Sequence, residues 1–328
     1  MNAARLPTDQ PRRRSPTEGP SDTLLIRPTH HDIARRRAPR GPSEEYAGPR
    51  GLANEGGNIC YVISILAAIR AVAPLRRRID TATVGGPIRE AIRDSFREMD
   101  RADTSRPVSP GAIVDALSHG MFRDGCQHDA HEALVRIMTD LSTEGTDVAT
   151  LTRCSKSIRL ICSDDRCPSI RDGVDTMNDV MVPIYSSLHA ALRVAMWDAV
   201  NGTEEVAFAC PECASLTATR TMTWGAPPEV LIVNLLRTHP MDLTQRIKVR
   251  NPMHIASHLV MGATYTLRAI ITHLGESRQN GHYVCDAFDI VGQTVMTHND
   301  GIVTRRTDVE QAILERCRDA YIIMYEKV

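Results

Sequence analysis

The chain has 328 residues, 42% of them hydrophobic, enough to bury a sizeable core in one large or two ordinary domains. Its formal net charge of −1 supplies no field that would draw nucleic acid or an anionic membrane as the main partner. The longest apolar stretches, such as YVISILAAI at 61–69, fall far short of the roughly 18 residues a membrane helix needs, so no membrane insertion is expected.

Residues 1–45 are rich in Pro, Arg, Ser and Thr without apolar periodicity, which predicts a disordered arm. Its arginine clusters, Arg12–Arg14 and Arg35–Arg37, read either as a nuclear import signal or as a solvated basic tail. No apolar segment follows the first basic residues, so a secretory signal is not expected. Nine cysteines then imply reduced thiols and a cytoplasmic or nuclear location. Only three lysines occur, Lys156, Lys248 and Lys327.

In the stretch GLANEGGNICY (51–61), Cys60 precedes apolar residues at helical spacing, Val62, Ile65, Leu66, Ile69 and Ala73, with Pro74 marking the end. A cysteine at the start of a helix sits at the positive end of its dipole, where a thiolate is favoured. A second helix is signalled by Leu134, Ile137, Met138 and Leu141, directly after QHDAHEA. The C-terminal half carries β-branched runs of strand length: EVLIVNLLR (229–237), YTLRAIITHL (265–274), HYVCDAFDI (282–290), QTVMTH (293–298) and AYIIMYE (320–326). Helices followed by strands make the fold class α+β.

A thiol nucleophile needs a base and an acceptor that holds the base in one tautomer. His282 opens one predicted strand, and Asn299 and Asp300 lie just past the end of the next, so a hairpin can bring an Asn or Asp side chain beside the imidazole. Cys162 and Cys167 form a C-x4-C pair, and Cys210 and Cys213 a CPEC pair. Four thiolates can close a tetrahedral zinc site, and four unrelated reduced cysteines are the other reading.

The three blocks GLANEGGNICY, CQHDAHEAL and NGHYVC, in that order, resemble the signature boxes of the ubiquitin-specific proteases, a papain-like family of deubiquitinating cysteine peptidases. The strands EVLIVNLLR and AYIIMYE resemble family landmarks as well. The resemblance implies a catalytic domain over 46–328 with a helical thumb, a β palm and β fingers at roughly 150–225. It assigns Cys60 as nucleophile, His282 as general base, Asn299 as the residue orienting the imidazole, Asp300 as an assisting acid, and Asn54 as an oxyanion donor. It favours structural zinc on Cys162, Cys167, Cys210 and Cys213, and no organic cofactor. Cys126, Cys154, Cys285 and Cys317, without paired spacing, are read as structural.

The implied reaction is hydrolysis of the peptide or isopeptide bond after the C-terminal glycine of ubiquitin, with ubiquitin and ubiquitinated proteins as partners. An inactive ubiquitin-binding pseudoprotease, a protease for a ubiquitin-like modifier, and an unrelated zinc-held interaction module in which Cys60 is only packed are the rival expectations. This sequence departs from the family pattern at Gly56–Gly57, where a pair replaces one glycine, at Ile59, His128 and Ala133, and at Asp286, where a tyrosine is usual. A two-glycine turn is expected to absorb the extra residue, and Asp286 to alter the cleft for the ubiquitin tail.

Overall fold

The computed structural model describes residues 49–101, 106–118, 126–198, 203–237, 248–276 and 280–328. The N-terminal arm lies outside the described residues. Everything below belongs to the compact unit Ala47–Val328.

The first half is helical: α1 (Cys60–Ala71), α2 (Ala73–Thr81), α3 (Pro87–Met99), α4 (Gly111–Ser118), α5 (Ala130–Thr143) and the short α6 (Val148–Thr152). Helix α1 is buried nearly all round, from Cys60 to Ile69, so it forms the axis of the thumb. Pro74 does end it, as expected, but also sits in the first turn of α2, where a missing N–H costs nothing. Ala73 therefore belongs to α2. Helix α5 starts earlier than expected, at Ala130 within QHDAHEA, because the Asp129 carboxylate caps it by accepting from the N–H groups of His131 and Glu132.

Two sheets follow. Strands β1 (Cys154–Cys162), β2 (Ile170–Met177), β4 (Thr203–Ala207) and β5 (Thr217–Trp224) form an antiparallel sheet in the order β2-β1-β5-β4. The palm contains β3 (Val180–Pro183), β6 (Val230–Leu236), β7 (His258–Val260), β8 (Thr264–Leu274), β9 (His282–Asp289), β10 (Thr294–Asn299), β11 (Ile302–Arg306) and β12 (Ala320–Lys327). Their order is β11-β10-β9-β8-β12-β6-β3, with β7 on β8, and only the β3–β6 pairing is parallel. Helices α7 (Leu188–Leu192) and α8 (Val309–Arg316) complete the described elements, with a π-helical stretch at Arg193–Asp198.

The palm strands read as continuous apolar runs because the sheet is covered on both faces. Val230, Ile232, Ile271, Ile322 and Met324 pack against the thumb helices. The alternate residues Leu231, Val233, Ile270, Ile323 and Tyr325 pack on the opposite face with α7 and α8. A one-residue slip would exchange the two cores, so burial fixes the register.

Candidate active site

Cys60 is the first residue of α1 and only 2% exposed, packed where the thumb meets the palm. His282 reaches it from the sheet. His282 opens β9 and Asn299 closes the antiparallel neighbour β10, so the two ends meet at one edge of the palm. His282 Nε2–H donates to Asn299 Oδ1 at 2.7 Å, which leaves Nδ1 for the hydrogen bond that His282 makes with Cys60. That bond, outweighing the burial that opposes it and helped by Asn299, pushes the His282 pKa up to about 9. A ring held at that value is protonated at neutral pH.

The loop before α1 folds back on the same centre. Gly56 and Gly57 adopt φ of +91° and +83°, and Gly57 N–H donates to the Asn54 carbonyl at 3.2 Å, a turn that takes up the extra glycine. As a result Asn54 stays beside Cys60: its Oδ1 accepts from Ile59 N–H at 3.1 Å, and its Nδ2 donates to Asp300 Oδ2 at 3.0 Å. Asp300 Oδ2 lies 3.8 Å from His282 Nε2, too long for a hydrogen bond and close enough for charge attraction. Its other oxygen, Oδ1, is buried with no hydrogen-bond partner among the described residues. The structure therefore brings Asn54, Cys60, His282, Asn299 and Asp300 into one cluster.

Further residues complete the site, and no role for them had been read from the sequence. Gln127, in the CQHDAHEAL block, donates from Nε2 to the Gly281 carbonyl at 3.0 Å, tying the thumb to the residue before His282. Tyr321 on β12 donates to both oxygens of Asp129, at 2.9 and 2.7 Å, and so fixes the N-terminus of α5 against the palm. Together with Cys60, the residues Gln127, Asp129, His273 and Tyr283 line a small cavity. Asp286, by contrast, is fully buried and held by Arg316 and Thr297, which makes it a palm residue bound to α8. Cys154, Cys285 and Cys317 are buried, whereas Cys126 is exposed, which does not fit a structural role by packing.

The four remaining cysteines gather at the far end of the smaller sheet. Cys162 ends β1, Cys167 follows in the β1–β2 turn, and Cys210 and Cys213 lie in the β4–β5 turn. Their sulfurs lie within 4.8 Å of one another, with Cys162–Cys213 at 3.5 Å and Cys167–Cys210 at 3.7 Å. Zn–S bonds of ~2.3 Å in a tetrahedron set sulfurs about 3.8 Å apart, so the quartet fits an ion held by four thiolates.

Among the described residues no helix is long and apolar enough to cross a membrane. Residues 50–325 match the family model described as "Ubiquitin carboxyl-terminal hydrolase". The chain is 21% identical to ubiquitin carboxyl-terminal hydrolase 11 of Schizosaccharomyces pombe over 309 residues, covering 85% of each. It is 24% identical to hydrolase 23 of Arabidopsis thaliana over 70% of this chain and 30% of that one, and 23% identical to hydrolase 4 of the same plant over 70% and 78%. A match spanning nearly the whole described unit places the chain in the ubiquitin carboxyl-terminal hydrolase family.

Proposed function

We propose that the protein is a deubiquitinating thiol protease that cleaves the peptide or isopeptide bond after the C-terminal glycine of ubiquitin. The observation that carries this reading is that the His282 ring, hydrogen-bonded to Asn299 Oδ1 at 2.7 Å on one side, meets Cys60 on the other. The Cys60 thiolate attacks the scissile carbonyl, and the resulting oxyanion is met by the second N–H of Asn54 Nδ2, the first being held by Asp300, and by N–H groups of the first turn of α1. His282 then gives its proton to the leaving amine as the C–N bond breaks, forming a thioester. Neutral His282, oriented by Asn299, takes a proton from water, which attacks the thioester and frees the ubiquitin carboxylate and the thiol. Asp300 supports the cationic imidazole by its charge.

Zinc on Cys162, Cys167, Cys210 and Cys213 belongs to the same proposal, as a structural ion tying the β1–β2 and β4–β5 turns. A reducing setting, cytoplasm or nucleus, belongs to it as well, because the mechanism uses a free thiol. The test is intact-mass analysis after mixing with ubiquitin bearing a thiol-reactive C-terminal electrophile, beside a Cys60→Ala control and a ubiquitin-like probe. One ubiquitin adduct, lost in the control, is expected. No adduct from folded protein would favour a pseudoprotease, and an adduct with the other probe alone would change the substrate but keep the chemistry.

A further inference from the structure

One of the chain's three lysines is buried. The Lys248 side chain is 2% exposed, and among the described residues its ammonium meets two carbonyls at the base of the β8–β9 connection and the carboxylate of Asp319. Nζ donates to the carbonyls of His273 and Gly275, the latter at 3.2 Å, and to Asp319 Oδ1 at 2.9 Å. Asp319 is itself held by Arg250, through Nε at 3.1 Å and Nη2 at 3.0 Å, and its carbonyl accepts from His273 N–H at 3.1 Å. A buried ammonium is costly unless paired and hydrogen-bonded, and this one is aimed at main-chain oxygens.

Those oxygens sit at the base of the segment that returns the chain to His282. A Cβ on Gly275 would lie 2.5 Å from the Asn280 carbonyl, and one on Gly281 would lie 2.2 Å from His273 Nε2. The two limbs therefore touch with no slack, and a shift of Gly275 or His273 passes to Gly281 and then to His282. From the thumb side the Gly281 carbonyl is held by Gln127.

We propose that Lys248, braced by Asp319, is a positioning residue that sets the register of the β8–β9 base and so the alignment of His282 on Cys60. This inference rests on the thiol-protease reading. It adds a cation that never touches substrate yet fixes the base from behind, through carbonyls on the limb opposite His282.

The test compares wild type with Lys248→Met, which keeps the length and removes the charge, and with Asp319→Asn. Two readouts are taken: turnover of a ubiquitin C-terminal fluorogenic amide, and the pH profile of Cys60 alkylation by iodoacetamide, which needs no ubiquitin. For folded Lys248→Met, kcat should fall at least about tenfold with KM within about twofold, the pattern of a group acting only on the chemical step. The alkylation profile should move towards that of an isolated thiol. Wild-type values in both readouts from folded Lys248→Met would overturn the proposal, and where that variant does not fold, Asp319→Asn decides by the same criteria. If wild type does not turn over ubiquitin, the functional reading fails and the alkylation profile alone decides the positioning role.

Discussion

Asn54 and Asp300, 246 positions apart in the chain, are joined by one hydrogen bond, Nδ2 to Oδ2 at 3.0 Å, which links the loop before Cys60 to the turn after Asn299. The same amide is pinned at Oδ1 by Ile59 N–H, so its donor is oriented before any substrate arrives. Preorganised donors of this kind are worth about 100- to 1000-fold in kcat. Asn54→Ala is therefore expected to lower kcat on a ubiquitin amide by about 100-fold with little change in KM. A variant within threefold of wild type would remove Asn54 from the oxyanion site.

The two loops also meet through backbone. A Cβ on Gly51 would lie 2.5 Å from the Asp300 carbonyl oxygen and from the Gly301 carbonyl carbon, neither of which can rotate away. Gly57 faces open space and is constrained only by its φ of +83°. Gly51→Ala should cost about 1–3 kcal/mol as overpacking and also displace Asp300, whereas Gly57→Ala should cost about 1–2 kcal/mol as left-handed backbone strain. Turnover should fall much further for Gly51→Ala, and the opposite ranking in a paired assay would show that the Asp300 turn is not braced by Gly51.

The raised pKa of His282 rests first on its hydrogen bond with Cys60. Removing the sulfur leaves burial, which favours the neutral ring, against Asn299 and Asp300, which favour the charged one, so the imidazole of Cys60→Ala should titrate clearly below about 9. The sign for stability follows from a folded pKa above the unfolded one. The contribution is fully present below pH ~6.5 and is lost as pH rises through about 9. In Cys60→Ala that decline should be smaller. NMR titration of the His282 ring in both proteins measures the shift, and equal values would show that the two side chains are not coupled.

How legible all this was in the sequence depended on where the energy resides. The palm strands announced themselves because Leu231 and Ile232 are both buried, each in its own core, and a two-faced strand leaves an unbroken apolar run. The smaller sheet left no such trace. Strand β2 is exposed from Ile170 to Thr176 and pairs polar side chains across the ladder, as in the Arg159–Asp172 ion pair, so no alternation marks it. Cys60 and His282 were readable because they lie in blocks that resemble the family's signature boxes, and Asn299 because it closes the strand beside His282. Gln127 and Lys248 were not, because they act on main-chain carbonyls, which any sequence supplies.

The four cysteines make their own prediction. With sulfurs already within 4.8 Å, binding requires little rearrangement beyond deprotonation. Purified protein should carry one zinc per chain by mass spectrometry of metals, and changing Cys213 to Ser should abolish it. Melting should fall by several degrees, since strands β1, β2, β4 and β5 have few buried residues to hold them once their tips part. Metal-free protein that melts with the wild-type profile would make the quartet a chance cluster.

Asp286 tests how the chain accommodates a charge where its family usually places tyrosine. The carboxylate is fully buried, accepts from Thr297 Oγ1 at 2.6 Å and pairs with Arg316 on α8. Deleting one partner of a buried pair strands the other, so Asp286→Ala should cost about 3 kcal/mol, while replacing both charges by apolar groups relieves the penalty. Denaturant unfolding of Asp286→Leu, Arg316→Leu and the double variant should therefore give a double variant more stable than Asp286→Leu alone. Additive losses in that cycle would mean that Arg316 reaches solvent readily enough to need no counter-charge, and that Asp286 is retained for its hydrogen bond to Thr297.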